Sequence, residues 1–250
     1  MNVALYGPRG SRWAMTERGR SALRRTHSAL SIGPSDLVWD GDGLTATIDE
    51  VTAPLPSRLR GTIRLHPSAI FDEAFPLDAA GRHAWRPIAP RARVEVSLTH
   101  PGQSWCGNGY FDTNAGSEPL QEAFATWNWS RAHMRDDTQI FYDVVRRDGR
   151  SHELALRFGA DGDRRAIEAP PSFQLAPTFW RMPRAARSDP GDPPTVRRTM
   201  EDAPFYTRSL LDTRHDGEAA EVVHESLSLD RLRSPVVRAM LPFRMPRVFW

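Results

Sequence analysis

Residues 138–158 read TQIFYDVVRRDGRSHELALRF. Two runs rich in β-branched and aromatic residues, 138–145 and 151–158, flank Arg147-Asp148-Gly149, and an Asp-Gly pair between such runs is hairpin chemistry because glycine supplies a positive φ at little cost. The same grammar extends in both directions. Downstream, Ala160-Asp-Gly-Asp163 turns the chain into a short strand at 165–169. The polar, Pro-rich 183–194 reads as a loop, and 196–200, 206–212 and 221–230 read as late strands. Upstream, 126–131 is a strand with Trp127 and Trp129 on a common face, preceded by a short helical or irregular piece at 118–125. Val94, Val96 and Leu98 alternate with Glu95 and Ser97, as a half-buried strand does. Asp40-Gly-Asp-Gly43 lies between strands at 37–39 and 44–51, 60–65 is another strand, and 2–6 opens the chain. Residues 12–28 have the spacing of a short amphipathic helix, weakened by Gly19, but a basic solvated face accounts for them better. Many short strands with turns between them predict an all-β barrel or sandwich and argue against alternating βα units.

Composition narrows the function. The chain of 250 residues is long enough for one large β domain or two smaller ones, with a break expected at about Pro90. No apolar run approaches the roughly 20 residues that span a bilayer. Lysine is absent, the formal net charge is +2, and Arg and acidic residues are interspersed, so there is no basic stripe to grip nucleic acid. Cys106 is the only cysteine, which excludes an internal disulfide and a cysteine metal cluster and predicts a buried structural thiol. His152, His215 and His224 lack ligand spacing. Gly107 and Gly109 lack the third glycine and strand-to-helix context of a dinucleotide site, so neither a cofactor nor a metal is expected. MNVALYG has neither the basic region nor the apolar run of a secretory signal, which points to the cytoplasm.

Chemistry concentrates in residues 105–130, WCGNGYFDTNAGSEPLQEAFATWNWS. If 109–112 is extended, Tyr110 and Asp112 share a face. Gly107 and Gly109 would weaken a strand for no packing gain, so they suggest a bulge or a close approach by a ligand or a second backbone segment. A second stretch, 75–90 (FPLDAAGRHAWRPIAP), puts His83 and Trp85 at the same i, i+2 spacing. The two pairs are candidates to line one pocket. Against this stand a structural turn bearing a surface Asp and a structural clasp made by His83 and Trp85.

Around these motifs the chain resembles the carotenoid 1,2-hydratase (hydroxyneurosporene synthase) family. The resemblance runs from NVALYG and RWAMTERGR through HPSAIFDEAFPLDAAGRHAWRPIAPRARVEV and WCGNGYFDTNAGSEPL to EDAPFYTRSLL and SPVVRAMLPFRMPR. It implies two lipocalin-like β-barrel domains and a cofactor-independent hydro-lyase that adds water to the terminal double bond of an acyclic carotenoid such as neurosporene or lycopene. It also implies an aspartate acid, Asp112, supported by His83, Trp85 and Tyr110. In the family NVALYG lies well inside the protein, so the chain reads as the C-terminal portion of a member. Residues 1–90 would then be the end of an incomplete first domain and 91–250 a second one. A greasy substrate predicts work at the periphery of a membrane.

Water addition to such an alkene begins with proton delivery to the less substituted carbon, leaving a tertiary cation that water captures. A buried Asp can keep its proton because desolvation disfavours the carboxylate. Trp85 and Tyr110 are expected to face the cation with their rings, an interaction worth roughly 0.5–2 kcal/mol. His83 is expected to orient the water or take its proton. A lipocalin-like binder of hydrophobic ligands and a pericyclic cyclase of the same architecture are the alternative functions, since fold alone does not decide.

Overall fold

The computed structural model describes residues 1–7 and 10–245, and the backbone of 247–248. The chain divides into two compact units, each threaded from separate stretches: Met1–Pro67, Ala92–Tyr110 and Ala239–Trp250 form the first, and Ser68–Arg91 and Phe111–Arg238 the second.

In the first unit an antiparallel meander runs Leu23–Arg25, Ala29–Ile32, Ser35–Trp39, Leu44–Val51 and Arg58–Pro67. Next to it come the 92–100 part of the long strand His83–His100 and then the start of Gln103–Gly116. The Asp40-Gly-Asp-Gly43 turn forms as expected: Trp39 pairs with Leu44, Gly41 takes φ 99°, and Asp40 Oδ1 accepts from the Asp42 and Gly43 amides at 3.1 and 2.9 Å. Ile48, Leu59, Val96 and Leu98 pack with Ala14 into this unit's core. Residues 12–28 form no α-helix. They are the strands Gly10–Met15, Glu17–Arg18 and Leu23–Arg25 with one 3-10 turn at Arg20–Ala22. A tertiary pair explains part of this, because Arg18 reaches Glu50 with two bonds of 2.9 and 2.8 Å, while Ser35 also donates to Glu50 at 2.6 Å. Gly109 is crowded by a side chain and not by the ligand or second backbone segment expected from the sequence, since a Cβ there would overlap Val94 Cγ1 of the neighbouring strand; Gly107 has open space around it.

The second unit is built on a seven-stranded antiparallel sheet in the order Arg164–Ala166, Ser151–Gly159, Asp137–Arg146, Phe124–His133, Glu218–Ser228, Tyr206–His215, Thr195–Asp202. Its hydrogen-bonded order is open at both ends. The hairpin expected around Arg147-Asp148-Gly149 is present, Asp137 pairing with Gly159 and Val145 with Ser151 around Gly149 at φ 81°. Part of the expected 183–194 loop is a strand, Ala185–Arg187, paired with Ser172–Gln174. It is held because Arg187 carries a long-range ion-pair network, bonding Asp143 at 2.7 Å and also reaching Glu153.

Residues 68–91 pack on this sheet and set up the site. Phe71 meets Phe158 edge-on at 5.0 Å, and Arg164 pairs with Glu73 at 2.6 Å. Arg91 donates to the carbonyls of Met134, Asp137 and Arg135 at 2.7–2.9 Å.

Candidate functional site

The loop after Phe75–Pro76 is organised by one carboxylate that sequence reading missed. Asp78 is buried, and its Oδ1 accepts from the amides of Ala80 and Arg82 at 2.9 and 3.3 Å, while Oδ2 accepts from the His83 amide at 2.8 Å. Gly81, at φ 64°, lets the chain fold back over it. Burial pushes the Asp78 carboxyl upward, but the three backbone donors and the His83 ring outweigh it and hold the group below its ordinary value.

That loop delivers His83, itself buried, with both ring nitrogens committed. Nδ1 lies 3.3 Å from Asp78 Oδ2 and Nε2 lies 3.1 Å from the Glu118 carbonyl. The ring meets Phe124 edge-on at 4.9 Å. On its other edge Gly116 is required by close approach, since a Cβ there would lie 2.6 Å from His83 Cδ2. The backbone bond Ser117 N to Arg82 O at 2.9 Å and the Arg82–Glu118 ion pair at 3.2 Å clamp the two stretches together.

Two residues further along the strand His83–His100, Trp85 is fully buried, at 0 % exposure. Its indole Nε1 donates to Asp112 Oδ2 at 2.8 Å. Its ring packs on Phe75 at 5.7 Å and on Tyr142 at 5.4 Å. Asp112 is half-buried on the strand Gln103–Gly116, so the extended conformation expected over 109–112 is the observed one. Tyr110 is half-buried on that strand and is the last residue of its stretch in the first unit.

Tyr142 is the second residue that sequence reading missed. It is buried, packs on Trp127 at 6.2 Å as well as on Trp85, and donates from its hydroxyl to Asn114 Oδ1 at 3.4 Å. Burial, followed by the Asp112 and Glu225 charges, pushes its phenol well above the ordinary value, so the hydroxyl keeps its proton. Its signal in the sequence was only an aromatic in a strand. For Asp78 the signal was an Asp three residues before Gly81 and five before His83, a turn pattern that gains meaning only when the loop closes.

The remaining sequence candidates lie elsewhere. Cys106 is exposed, which corrects the expected buried thiol: residues 104–108 all face solvent on the strand that ends its sheet. His224 is buried against the Ala185 carbonyl at 2.9 Å, and His215 stacks on Phe141 at 5.0 Å; burial lowers both to about 4. Among the described residues no group of three or more His, Cys, Asp or Glu side chains is arranged to hold a metal ion, and no helix is long and apolar enough to cross a membrane.

The fold defines the class first. The solved structure of a protein designated AttH from Nitrosomonas europaea superposes with a TM-score of 0.58 at 15 % identity, covering 84 % of this chain and 72 % of that one. CghA, solved with Sch210972, does so at 0.51 and 12 % identity over 91 % of this chain and 74 % of its own. These likenesses concern the all-β fold. The sequence goes further: the profile of the Carotenoid hydratase CrtC family matches residues 1–249, and the chain belongs to that family. Relatives named acyclic carotenoid 1,2-hydratase, from Thiocapsa roseopersicina, Rubrivivax gelatinosus and Cereibacter sphaeroides, are 54 %, 46 % and 44 % identical over 99 % of this chain. The chain spans 62 % of the length of the first, 61 % of the second and 88 % of the third.

Proposed function

We propose that the protein adds water across the terminal 1,2 double bond of an acyclic carotenoid, with Asp112 as the acid. The observation that carries this reading is the 2.8 Å bond from Trp85 Nε1 to Asp112 Oδ2, which fixes one carboxyl oxygen of a half-buried acid beside a cluster of aromatic rings. Protonated Asp112 gives its proton to C2 of the alkene, and the π pair becomes the new C2–H bond. The cation left at C1 is tertiary and is captured by water. The oxonium then loses one proton, which returns the carboxylate to its acid form, so the net change is the gain of one H₂O.

Trp85 is the positioning residue for Asp112. Its buried ring, held between Phe75 and Tyr142, suits that role better than facing the cation. Tyr110, two residues before Asp112 on the same strand, is the aromatic we assign to the cation. His83 is assigned to positioning, because both ring nitrogens already meet protein acceptors and neither is left to hold a water. Tyr142, which keeps its proton, cannot serve as the base. A carotenoid is dissolved in membrane, so we place the reaction at the cytoplasmic surface of one.

Asp112→Asn tests the proposal. It keeps the acceptor for Trp85 but has no acidic proton. Lycopene hydration should fall by about 10²–10⁴-fold, the usual share of general acid catalysis, with carotenoid binding retained. Hydration near the wild-type rate would remove Asp112 from the acid role, and retained binding without any turnover in the wild type would favour a carotenoid binder.

A further inference from the structure

The second unit keeps its large aromatics buried or half-buried except for two consecutive ones, which it turns outward. Phe179 is 87 % and Trp180 40 % exposed, and their rings meet edge-on at 5.6 Å. They stand on a braced turn. Arg181 N bonds the Thr178 carbonyl at 2.9 Å, Met182 N bonds Thr178 Oγ1 at 3.3 Å, and Phe179 N bonds Asp202 Oδ2 at 2.9 Å. From the helix Leu229–Arg233, the Arg231 guanidinium donates to the carbonyls of Trp180 and Arg181 at 2.7 and 2.9 Å and to Pro204 at 3.3 Å. Met182, fully buried, anchors the end of the turn. The aromatic pair is therefore held out by the fold.

Two guanidinium groups stand at the turn. Among the described residues Arg181 and Arg231 have no carboxylate partner, and Arg231 spends its donors on carbonyls. Of the nearby acids, Asp202 accepts from the Phe179 amide and Asp230 is paired with Arg147.

Two protruding rings beside guanidinium groups that lack a carboxylate partner make a convex wedge. A protein partner would need a complementary socket and a much larger surface around it, about 800 Å² on each side for a stable complex. A bilayer needs no matching shape: Trp settles at the headgroup level, and each cation gains from anionic lipid. We infer that the 178–181 turn docks the protein on a membrane carrying anionic lipid, with Phe179 and Trp180 entering the boundary between headgroups and acyl chains and Arg181 meeting phosphate. The choice of a lipid partner rests on reading a membrane-dissolved carotenoid as substrate; the exposed wedge does not.

Co-sedimentation with carotenoid-free vesicles tests docking separately from catalysis. The protein should bind phosphatidylglycerol-containing vesicles more tightly than pure phosphatidylcholine ones, and salt should weaken the binding. Phe179→Ser with Trp180→Ser should lower partitioning by about tenfold or more, the worth of one buried large apolar side chain. Arg181→Gln should cost about fivefold on anionic vesicles alone. Brominated lipid should quench part of the tryptophan emission of the wild type but not that part in Trp180→Phe. Absence of wild-type binding at low salt, or equal binding by the double serine variant with its circular dichroism unchanged, would overturn the inference. Loss of self-association in that variant with vesicle binding intact would also overturn it, by making the wedge a contact between copies of the chain.

Discussion

Replacing Trp85 with Phe removes one hydrogen-bond donor and leaves an aromatic ring between Phe75 and Tyr142. The bond lost, Nε1 to Asp112 Oδ2 at 2.8 Å, joins an N–H to a carboxyl that alternates between charged and neutral forms. Bonds to charged groups contribute roughly 1.5–3 kcal/mol, more to the carboxylate than to the acid. If about 1.4 kcal/mol of that is selective for the carboxylate, its loss raises the pH at which the acid deprotonates by about one unit. Because the proposed hydration needs the protonated form, activity declines as pH rises, and in Trp85→Phe that decline should begin about one unit higher. The plateau at lower pH should nevertheless fall, since a displaced reacting group costs about 10²-fold for 1 Å of misplacement. The assay is conversion of liposome-borne lycopene to its hydroxylated product, followed chromatographically over a pH series, with urea unfolding as the control for stability. A folded variant with the wild-type plateau and an unmoved decline would refute the positioning of Asp112 by Trp85.

Four further substitutions probe packing, hydrogen bonding and burial. Gly116→Ala puts a Cβ 2.6 Å from His83 Cδ2, and the ring is backed by Phe124; we expect a loss of about 1–3 kcal/mol in urea unfolding, against almost none for Gly107→Ala, which has open space. Asp78→Asn presents an NH₂ to donors that now meet a carboxylate and should cost about 3 kcal/mol near neutral pH. Because the folded Asp78 carboxyl sits below its ordinary value, its contribution is present above the unfolded value of 3.8 and is lost as pH falls through the folded one; the Asn variant should lose that part of the acid dependence in the same assay. His215 is 1 % exposed, neither ring nitrogen has a protein hydrogen-bond partner, and burial lowers it from 6.5 to about 4. The unfolded chain therefore takes up the proton first as pH drops, and stability should decline by up to about 1.4 kcal/mol per pH unit between those two values. His215→Leu should flatten that slope, as read from urea midpoints at several pH values.

The hairpins were legible because their turn residues act locally: Asp40-Gly-Asp-Gly43 and Arg147-Asp148-Gly149 fix their own strands before anything distant packs on them. What escaped the sequence depends on remote partners. Residues 12–28 carry a spacing that fits a helix, yet Arg18 is held in a strand by Glu50, which Ser35 also bonds. Within the Pro-rich 183–194, Ala185–Arg187 becomes a strand partly because Arg187 finds Asp143 and Glu153 across the sheet. Cys106 follows its place on the strand that ends a sheet, not the general preference of thiols for burial. At the candidate site, i, i+2 spacing singled out His83, Trp85, Tyr110 and Asp112 as candidates. The pairing it could not give is that Trp85 binds Asp112 while His83 turns to Asp78 and Glu118.

The indole proton that Trp85 lends to Asp112 also makes that residue a reporter. The chain has eight tryptophans, and their indole N–H signals in a ¹⁵N-labelled sample stand apart from the backbone amides. The one missing from Trp85→Phe identifies itself. A carboxylate draws that proton more strongly than a neutral acid does, so the signal should move as Asp112 ionises, and its midpoint would give the acid's working pKa in the resting protein, with no carotenoid present and no turnover to interpret.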